Sequence, residues 1–333
     1  MALLFIFSPR TSFGGVLLKV NNPFIEWFGW VMLSVVMYVV GMGLIVTAPF
    51  VVLVAPVPFM ALMRRQGYAR AMIGAFAASA SVYTLSGPSA AAMFIISFGM
   101  LGVAMGVISL HAKTGVDCVA ASIVVSVFSK IFLMAVFSRV AGVNPFAVTP
   151  EAAGEMVKMA VSAGSIPGVS AGDVKAYAKN ISESVSLLMP SMLIVFAAAD
   201  SLFSYVLTSK VLVRMGSDGL KRLPPFGDWR CPKNIFWALI ASLILDALSK
   251  AQPDERIFTV LSVNMMEVVR GVLTLQGLSL AWYFMSKRGV HKSLMVFFVI
   301  IGLIISPVAY VLSMVGVFDI WYDLRKRIRR NSK

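Results

Sequence analysis

The chain has 333 residues, of which 59% are hydrophobic and 13% are charged, and its formal net charge is +14. Ordinary soluble domains are roughly 45–50% apolar and about 25% charged, so this composition excludes a water-soluble globular domain. The basic residues lie in short loops between apolar runs and at the C-terminus. This placement favours anionic lipid headgroups over nucleic acid as their partner.

Long apolar runs predict an all-α, polytopic transmembrane bundle. Between Phe24 and Met63 a single acid, Glu26, interrupts forty residues, which is room for two crossings of about 20 residues each. In lipid, helices satisfy their own backbone hydrogen bonds. The eight predicted spans are Phe24–Val46, Pro49–Met63, Ala71–Leu85, Ser89–Leu110, Val116–Phe137, Val185–Ser209, Ile235–Ser249 and Phe258–Met285. Leu294–Phe318 is either a ninth span or a re-entrant hairpin broken near Ser306 and Pro307.

The distribution of Lys and Arg predicts a multi-pass protein of the bacterial cytoplasmic membrane with its N-terminus inside, because cations concentrate in cytoplasmic loops. Five parts follow along the chain. They are an N-terminal cytoplasmic segment (1–23), a six-span core (24–210) with an outer insertion (138–184), a cytoplasmic loop (211–234), C-terminal membrane helices (235–318) and a basic amphipathic tail (319–333).

The outer insertion is predicted to hold two short helices. Thr149 followed by Pro150 is typical of a helix start, and Ser170 with Asp173 three residues later resembles a capping box. The first helix has apolar residues at helical spacing, so it could lie on the membrane surface or form a lid over a cavity beneath it. The alternative is a surface-packed connector.

Ionisable residues inside spans are costly in lipid and are therefore candidates for function. Asp200 is predicted near the middle of the bilayer, and Lys130 lies nearer the outer boundary, where its stem could snorkel. With Tyr83, these residues form the predicted substrate-binding set. The competing interpretation is that they serve interhelical hydrogen bonding or helix capping. Further polar residues in the spans are Asp246, Asn264, Glu267, Arg270 and Gln276.

Two basic and aromatic segments are predicted to face the cytoplasm. In the loop after span six, Phe226, Trp229 and Arg230 could dock a cytoplasmic partner or sit at headgroup level. The tail places apolar residues beside cations, as in an interfacial amphipathic helix. Its predicted membrane-anchoring residues are Trp321, Arg325 and Lys326.

The sequence lacks the common motifs of enzyme active sites. His111 and His291 lack a second ligand at metal spacing, and neither a nucleophile elbow nor a phosphate loop is present. Cys118 and Cys231 are far apart, so they suggest no disulfide framework. We therefore predict no catalytic residue, no metal and no cofactor.

Three C-terminal segments carry a family resemblance. They are Leu-Pro-Pro-Phe-x-Asp-Trp at 223–229, Leu-Gln-Gly-Leu at 275–278 and Val-Phe-Asp-Ile-Trp-Tyr-Asp at 317–323. Through them the chain resembles the YybS-like family of uncharacterised bacterial polytopic membrane proteins. That family is remotely similar to the S components of energy-coupling-factor vitamin transporters.

The remote similarity implies a six-helix core, an outward-facing pocket for a small nutrient, and a separate membrane coupling subunit with cytoplasmic ATPases. Two features depart from S components: Ser34, Tyr38 and Gly41 stand where a small-residue face would meet the coupling subunit, and the C-terminal spans are additional. Two functions therefore stay open. One is binding or transport of a small, vitamin-like solute, and the other is a non-enzymatic membrane scaffold or assembly factor that recruits a cytoplasmic or envelope partner.

Overall fold

The computed structural model describes residues 22–43, 47–141, 149–162 and 171–326, and the regular structure of these residues is helical. A π-helical turn covers Ile95–Met100, and a 3-10 turn covers Phe226–Asp228. The helices are α1 (Pro23–Gly43), α2 (Ala48–Val54), α3 (Val57–Gln66), α4 (Tyr68–Phe94), α5 (Leu101–His111), α6 (Gly115–Ala141), α7 (Pro150–Ser162), α8 (Ala171–Arg214), α9 (Ile235–Ala251), α10 (Arg256–Lys287), α11 (Lys292–Ile304) and α12 (Ser306–Tyr322).

Several of these helices are long and apolar enough to cross a membrane. They are Pro23–Gly41, Tyr68–His111, Gly115–Arg139, Asp173–Arg214 and Arg256–Lys287, and the bent pair Lys292–Ile304 with Ser306–Tyr322 adds a sixth if it is counted as one span. The predicted all-α polytopic bundle and its multi-pass membrane location are confirmed. The predicted number of eight or nine spans is not.

The apolar stretch Tyr68–His111 reverses direction at Gly87. This residue has φ of +86°, a left-handed conformation that glycine adopts without steric cost, and Pro88 follows it. The Ser79 hydroxyl donates to the Ala91 carbonyl at 3.1 Å, and a Cβ at Gly99 would lie 2.9 Å from the Ala75 Cβ. In one straight helix, residues 75 and 99 would be about 36 Å apart. The stretch is therefore a hairpin of two antiparallel segments.

Proline accounts for breaks in two of the predicted apolar segments. The predicted span Pro49–Met63 is divided between α2 and α3 at Ala55 and Pro56, since proline supplies no backbone N–H to continue a helix. Leu294–Phe318 is divided as well: α11 and α12 are bent by 102° around Ile305, next to the predicted breaks at Ser306 and Pro307. This segment is not one straight span.

The described part of the outer insertion contains one separate helix, where two were predicted. Helix α7 begins after Thr149, as predicted. The second predicted helix is instead the first part of α8, which runs for 44 residues. Residues 173–189 contain no Gly or Pro, so nothing stops the polar turns from continuing into the apolar span. Ser170, the N-terminal segment 1–21 and the tail residues 327–333 lie outside the described residues.

Contacts divide the chain into two compact units. The first contains Met1–Leu133, Ile194–Pro232 and Val272–Lys333. Its core is built around α3, in which every residue of Val57–Met63 is buried. Small residues permit close packing there, because a Cβ at Gly102 would lie 2.5 Å from the Pro56 carbonyl oxygen. Ala71, Ala75 and Ala78 of α4 are fully buried.

The second unit contains Met134–Leu193 and Lys233–Gly271. Asn264 of α10 joins two of its helices. The Asn264 side-chain oxygen accepts a hydrogen bond from the Ser191 backbone N–H at 2.7 Å, and its amide nitrogen donates to the Leu187 carbonyl at 2.7 Å. Asn264 therefore serves interhelical hydrogen bonding, which is the structural role expected of a polar side chain inside a span.

Candidate functional site

The first unit buries an ion pair between two spans. Lys130 of α6 donates a hydrogen bond to Asp200 of α8, and the two side chains are 17% and 2% exposed. The Ser126 hydroxyl lies 3.0 Å from each carboxylate oxygen and accepts from the Lys130 ammonium at 2.7 Å. Ser126 and Lys130 are four residues apart and so lie on one face of α6. The two charged residues of the predicted substrate-binding set are therefore paired with each other in the structure.

A cavity of about 220 Å³ opens beside this pair, and both charged residues line it. Tyr38 lines it from α1, and its side chain is 5% exposed. Its ring makes edge contacts with Phe94 and Phe98, whereas its hydroxyl has no hydrogen-bond partner among the described residues. The remaining lining is supplied by Gly41, Val51, Val52, Ala55, Met93, Ser97, Phe98, Leu101, Ser129 and Leu133.

The structure brings together two of the three residues that the sequence predicted to bind substrate. Lys130 and Asp200 meet at the cavity, whereas Tyr83 is exposed on α4 and is not part of the lining described above. Sequence reasoning missed Tyr38 as a site residue. Its only signal was a polar tip within an apolar span, where a tyrosine is equally consistent with interface anchoring.

A second ion pair in the first unit joins α1 to α3. Glu26, near the start of α1, accepts from Arg65 at the end of α3, with a 3.0 Å bond from Nη2 to Oε2. The Arg65 guanidinium also donates to the Ser217 hydroxyl and to the Met215 carbonyl at 3.3 Å. Arg65 thus joins three separate stretches of chain, and one of its partners is the single acid of the first two predicted spans.

The loop that begins at Leu223 packs against α10. Phe226 makes edge contacts with Trp229 and Trp282. The Ser279 hydroxyl lies 2.7 Å from the Phe226 carbonyl oxygen and 3.1 Å from that of Trp229. Phe226 and Trp229 are thus half-buried, and Arg230 is exposed and pairs with Asp323 at 3.0 Å. Partner docking by these three residues stays a prediction.

Arg325 lies inside the protein, at a place the sequence did not predict. Its side chain is 3% exposed and pairs with the buried Asp319 at 3.2 Å. The guanidinium also donates to the Gly227 carbonyl and to the Ser279 hydroxyl, the latter at 3.1 Å. Gln276 completes this loop–tail cluster, since its amide donates to Asp319 at 2.5 Å and its oxygen accepts from the Cys231 backbone N–H at 2.9 Å.

This burial corrects the predicted environment of Arg325. Its guanidinium is engaged by protein groups and has almost no surface left for lipid headgroups. The other two predicted anchoring residues are different, because Trp321 is exposed and the Lys326 side chain is 78% exposed. Burial raises the pKa of the Asp323 carboxyl, but hydrogen bonds from Arg230 and Lys326 lower it by more. The pKa of Asp323 therefore lies below its usual value. Anchoring by Trp321 and Lys326 stays a prediction.

The Cys231 thiol is expected to be alkylated more slowly than a free cysteine. Burial raises its pKa above the ordinary 9.0; nearby Arg325 lowers the pKa and Asp319 raises it, both to a smaller extent. Because the thiolate is the nucleophile, alkylation should still accelerate above pH 9, where the rate for an ordinary thiol levels off. Mass spectrometry of the Cys231 peptide after timed iodoacetamide treatment measures this rate, and free cysteine in the same tube is the control. Equal profiles would contradict the raised pKa.

The site consists of a paired ammonium and carboxylate, several hydroxyls and an apolar wall. In the part of the chain that the structure describes, no three His, Cys, Asp or Glu residues come together in a way that could hold a metal ion. What the arrangement can do is hold a small polar molecule by hydrogen bonds within an otherwise apolar environment.

Comparisons with known proteins place the chain in a family. It is 23% identical over 147 residues to a Bacillus subtilis (strain 168) protein described as "Uncharacterized protein YybS", an alignment that covers 44% of this chain and 46% of that protein. The chain thus matches about half the length of this relative. No solved structure matches it. A family model described as "Predicted membrane protein (DUF2232)" matches residues 31–320. As its YybS-like segments predicted, the chain belongs to the DUF2232 family of predicted membrane proteins.

Proposed function

We propose that the protein binds a small polar solute in the cavity beside Lys130 and Asp200, as a solute-binding or transport protein. The observation that carries this proposal is the buried hydroxyl of Tyr38, which has no hydrogen-bond partner among the described residues, on a side chain that lines the same cavity as the ion pair. A buried polar group without a partner costs about 1–3 kcal/mol. A bound solute with a hydrogen-bonding group would recover this energy.

The size and lining of the cavity limit the solute. Drug-sized ligands occupy pockets of roughly 300–1,000 Å³, so a cavity of about 220 Å³ suits a smaller molecule. The ring of Phe98 and the side chains of Leu101 and Val52 offer apolar contacts opposite the polar groups. Since Lys130 and Asp200 neutralise each other, the site favours a solute without net charge, including a zwitterion.

The remote similarity to S components is consistent with this proposal, because it implies a nutrient pocket within a six-helix core. The same similarity implies a membrane coupling subunit as the partner and cytoplasmic ATPases as the energy source. The cavity is lined by α1, α2, α6 and α8 together with the segment that follows Gly87, all within the first unit.

The test is a thermal-shift screen of the detergent-purified protein against small vitamins, amino acids and other neutral metabolites. A solute present at 100 times its dissociation constant should stabilise the protein by about 2.7 kcal/mol. Tyr38→Phe keeps the aromatic packing and removes the hydroxyl, so it should weaken binding about tenfold.

Tyr83→Phe is the matched control, because Tyr83 is exposed and lies away from the cavity lining. Its shifts should equal those of the wild type. A panel without any hit, or hits that respond equally to both substitutions, would reject binding at this cavity.

Recruitment of a cytoplasmic partner is the second candidate function. It draws on the loop around Phe226, which the loop–tail cluster holds in place while Asp228 and Arg230 stay exposed. Under this proposal, replacing both exposed residues with alanine should abolish a partner that co-purifies with the wild type. Tyr38→Phe should leave that partner bound, so the two variants separate the two functions.

A further inference from the structure

A groove much larger than the solute cavity runs along α1. Its volume is about 730 Å³, and it lies within the first unit between α1, the ends of α2 and α3, and the C-terminal end of α8. None of its lining residues also lines the solute cavity. The two sites are therefore separate.

One face of α1 forms the length of this groove. Ile25, Gly29, Leu33 and Met37 all line it, and their spacing of four residues places them in one row. The row covers twelve residues, or about 18 Å, which is a little more than half of the roughly 30 Å hydrocarbon core of a bilayer. Its length thus matches one leaflet.

Gly29 leaves space in the middle of the row. A Cβ at this position would meet no described atom within 4 Å. Ile25 and Leu33 on either side are exposed, so the groove is open to the lipid side of the helix. On the opposite wall, Leu207 and Val211 of α8 are apolar.

The polar end of the groove includes an arginine. Glu26 lines this end and is paired with Arg65, and the exposed Arg214 lines the same end. Trp30 also lines the groove, and its side chain is 8% exposed. Its indole N–H has no hydrogen-bond partner within the described part of the chain. A donor of this kind, buried in an apolar wall, calls for an acceptor that none of the described residues supplies.

We propose that this groove is a binding site for one anionic phospholipid of the adjacent leaflet. An acyl chain lies along the α1 row over Gly29, the phosphate lies at Arg214, and the Trp30 N–H donates to an ester or phosphate oxygen. Arginine favours phosphate because its planar guanidinium offers paired donors. In the predicted orientation, this is the inner leaflet, where anionic lipids attract basic residues.

Native mass spectrometry of the full chain tests the site. The protein is delipidated and then incubated with equal amounts of phosphatidylglycerol and phosphatidylcholine. The wild type should retain one phosphatidylglycerol in clear preference, and Arg214→Gln should remove that preference while leaving residual binding of both lipids. Trp30→Phe keeps an aromatic ring but removes the donor, and should lower retention about fivefold.

Gly29→Leu should fill the groove and abolish retention. Gly271→Leu is the matched control, because a Cβ at this helical glycine also meets nothing within 4 Å, and Gly271 lies outside the groove. Equal retention by the two leucine variants would overturn the proposal. So would equal binding of both lipids by the wild type, or a co-purifying polypeptide that only Gly29→Leu displaces. Solute binding is not affected by any of these outcomes.

Discussion

Arg325→Ala is expected to lower the thermal denaturation midpoint of the detergent-solubilised protein by about 5 °C. The substitution removes a guanidinium that contacts Asp319, the Gly227 carbonyl and Ser279, and it leaves the Asp319 carboxylate buried without its countercharge. Breaking a buried pair by removing one partner costs about 3–5 kcal/mol. With an unfolding entropy of about 2.1 cal/mol/K per residue, a change of this size corresponds to about 4–7 °C in a chain of 333 residues.

Lys326→Ala is the control for this experiment, because it removes a neighbouring cation whose side chain is 78% exposed. Exposed ion pairs contribute little, so its midpoint should stay within about 1 °C of the wild type. If the two variants denatured at the same temperature, Arg325 would not hold the loop to α10 and α12. Restricted proteolysis of the 223–232 loop gives a second readout, since cleavage should accelerate only in Arg325→Ala.

The Lys130–Asp200 pair should show strong coupling in a double-mutant cycle. Asp200→Leu leaves the Lys130 ammonium without its partner inside a span, and Lys130→Met leaves a carboxylate that is 2% exposed. An uncompensated charge at the centre of a membrane helix costs about 2.5–3.5 kcal/mol on insertion scales. Each single variant should therefore be destabilised by about 3 kcal/mol.

The double variant should regain most of that stability, since it contains no unpaired charge and its apolar side chains fill a similar volume. Urea or heat denaturation of the four proteins in one detergent measures the coupling energy, expected to be about 2 kcal/mol or more. Additive effects of the two substitutions would show that the ion pair is energetically unimportant. The stable double variant also tests function, because it should bind no polar solute despite being folded.

The helical membrane fold could be predicted from the sequence because it depends on local information. Long apolar runs determine where helices lie in lipid, and Pro and Gly mark where they break. The bend at Ile305 and the division at Pro56 both fall beside prolines that the sequence displays. The end of the insertion was harder to place. A polar segment free of Gly and Pro can either end or extend a neighbouring helix, and only packing decides which.

The candidate site could be predicted only in part, because it depends on residues distant in sequence. Asp200 and Lys130 stood out as costly charges, but their contact joins positions 70 residues apart. Arg325 was placed at the lipid surface because basic residues surround it in the chain. Its burial follows from Asp319 and Gln276, which are individually unremarkable in sequence. Tyr38 gave only the signal of a polar tip within an apolar span, because an unpaired hydroxyl is a property of the assembled cavity.

The reversal at Gly87 has a consequence for biosynthesis. With a single glycine at the turn, the segments on either side have no hydrated linker that would let one settle in the bilayer before the other. We expect them to leave the translocation channel together, already matched along Ala75 and Gly99. Only the few residues around the turn would then pass through to the far side of the membrane.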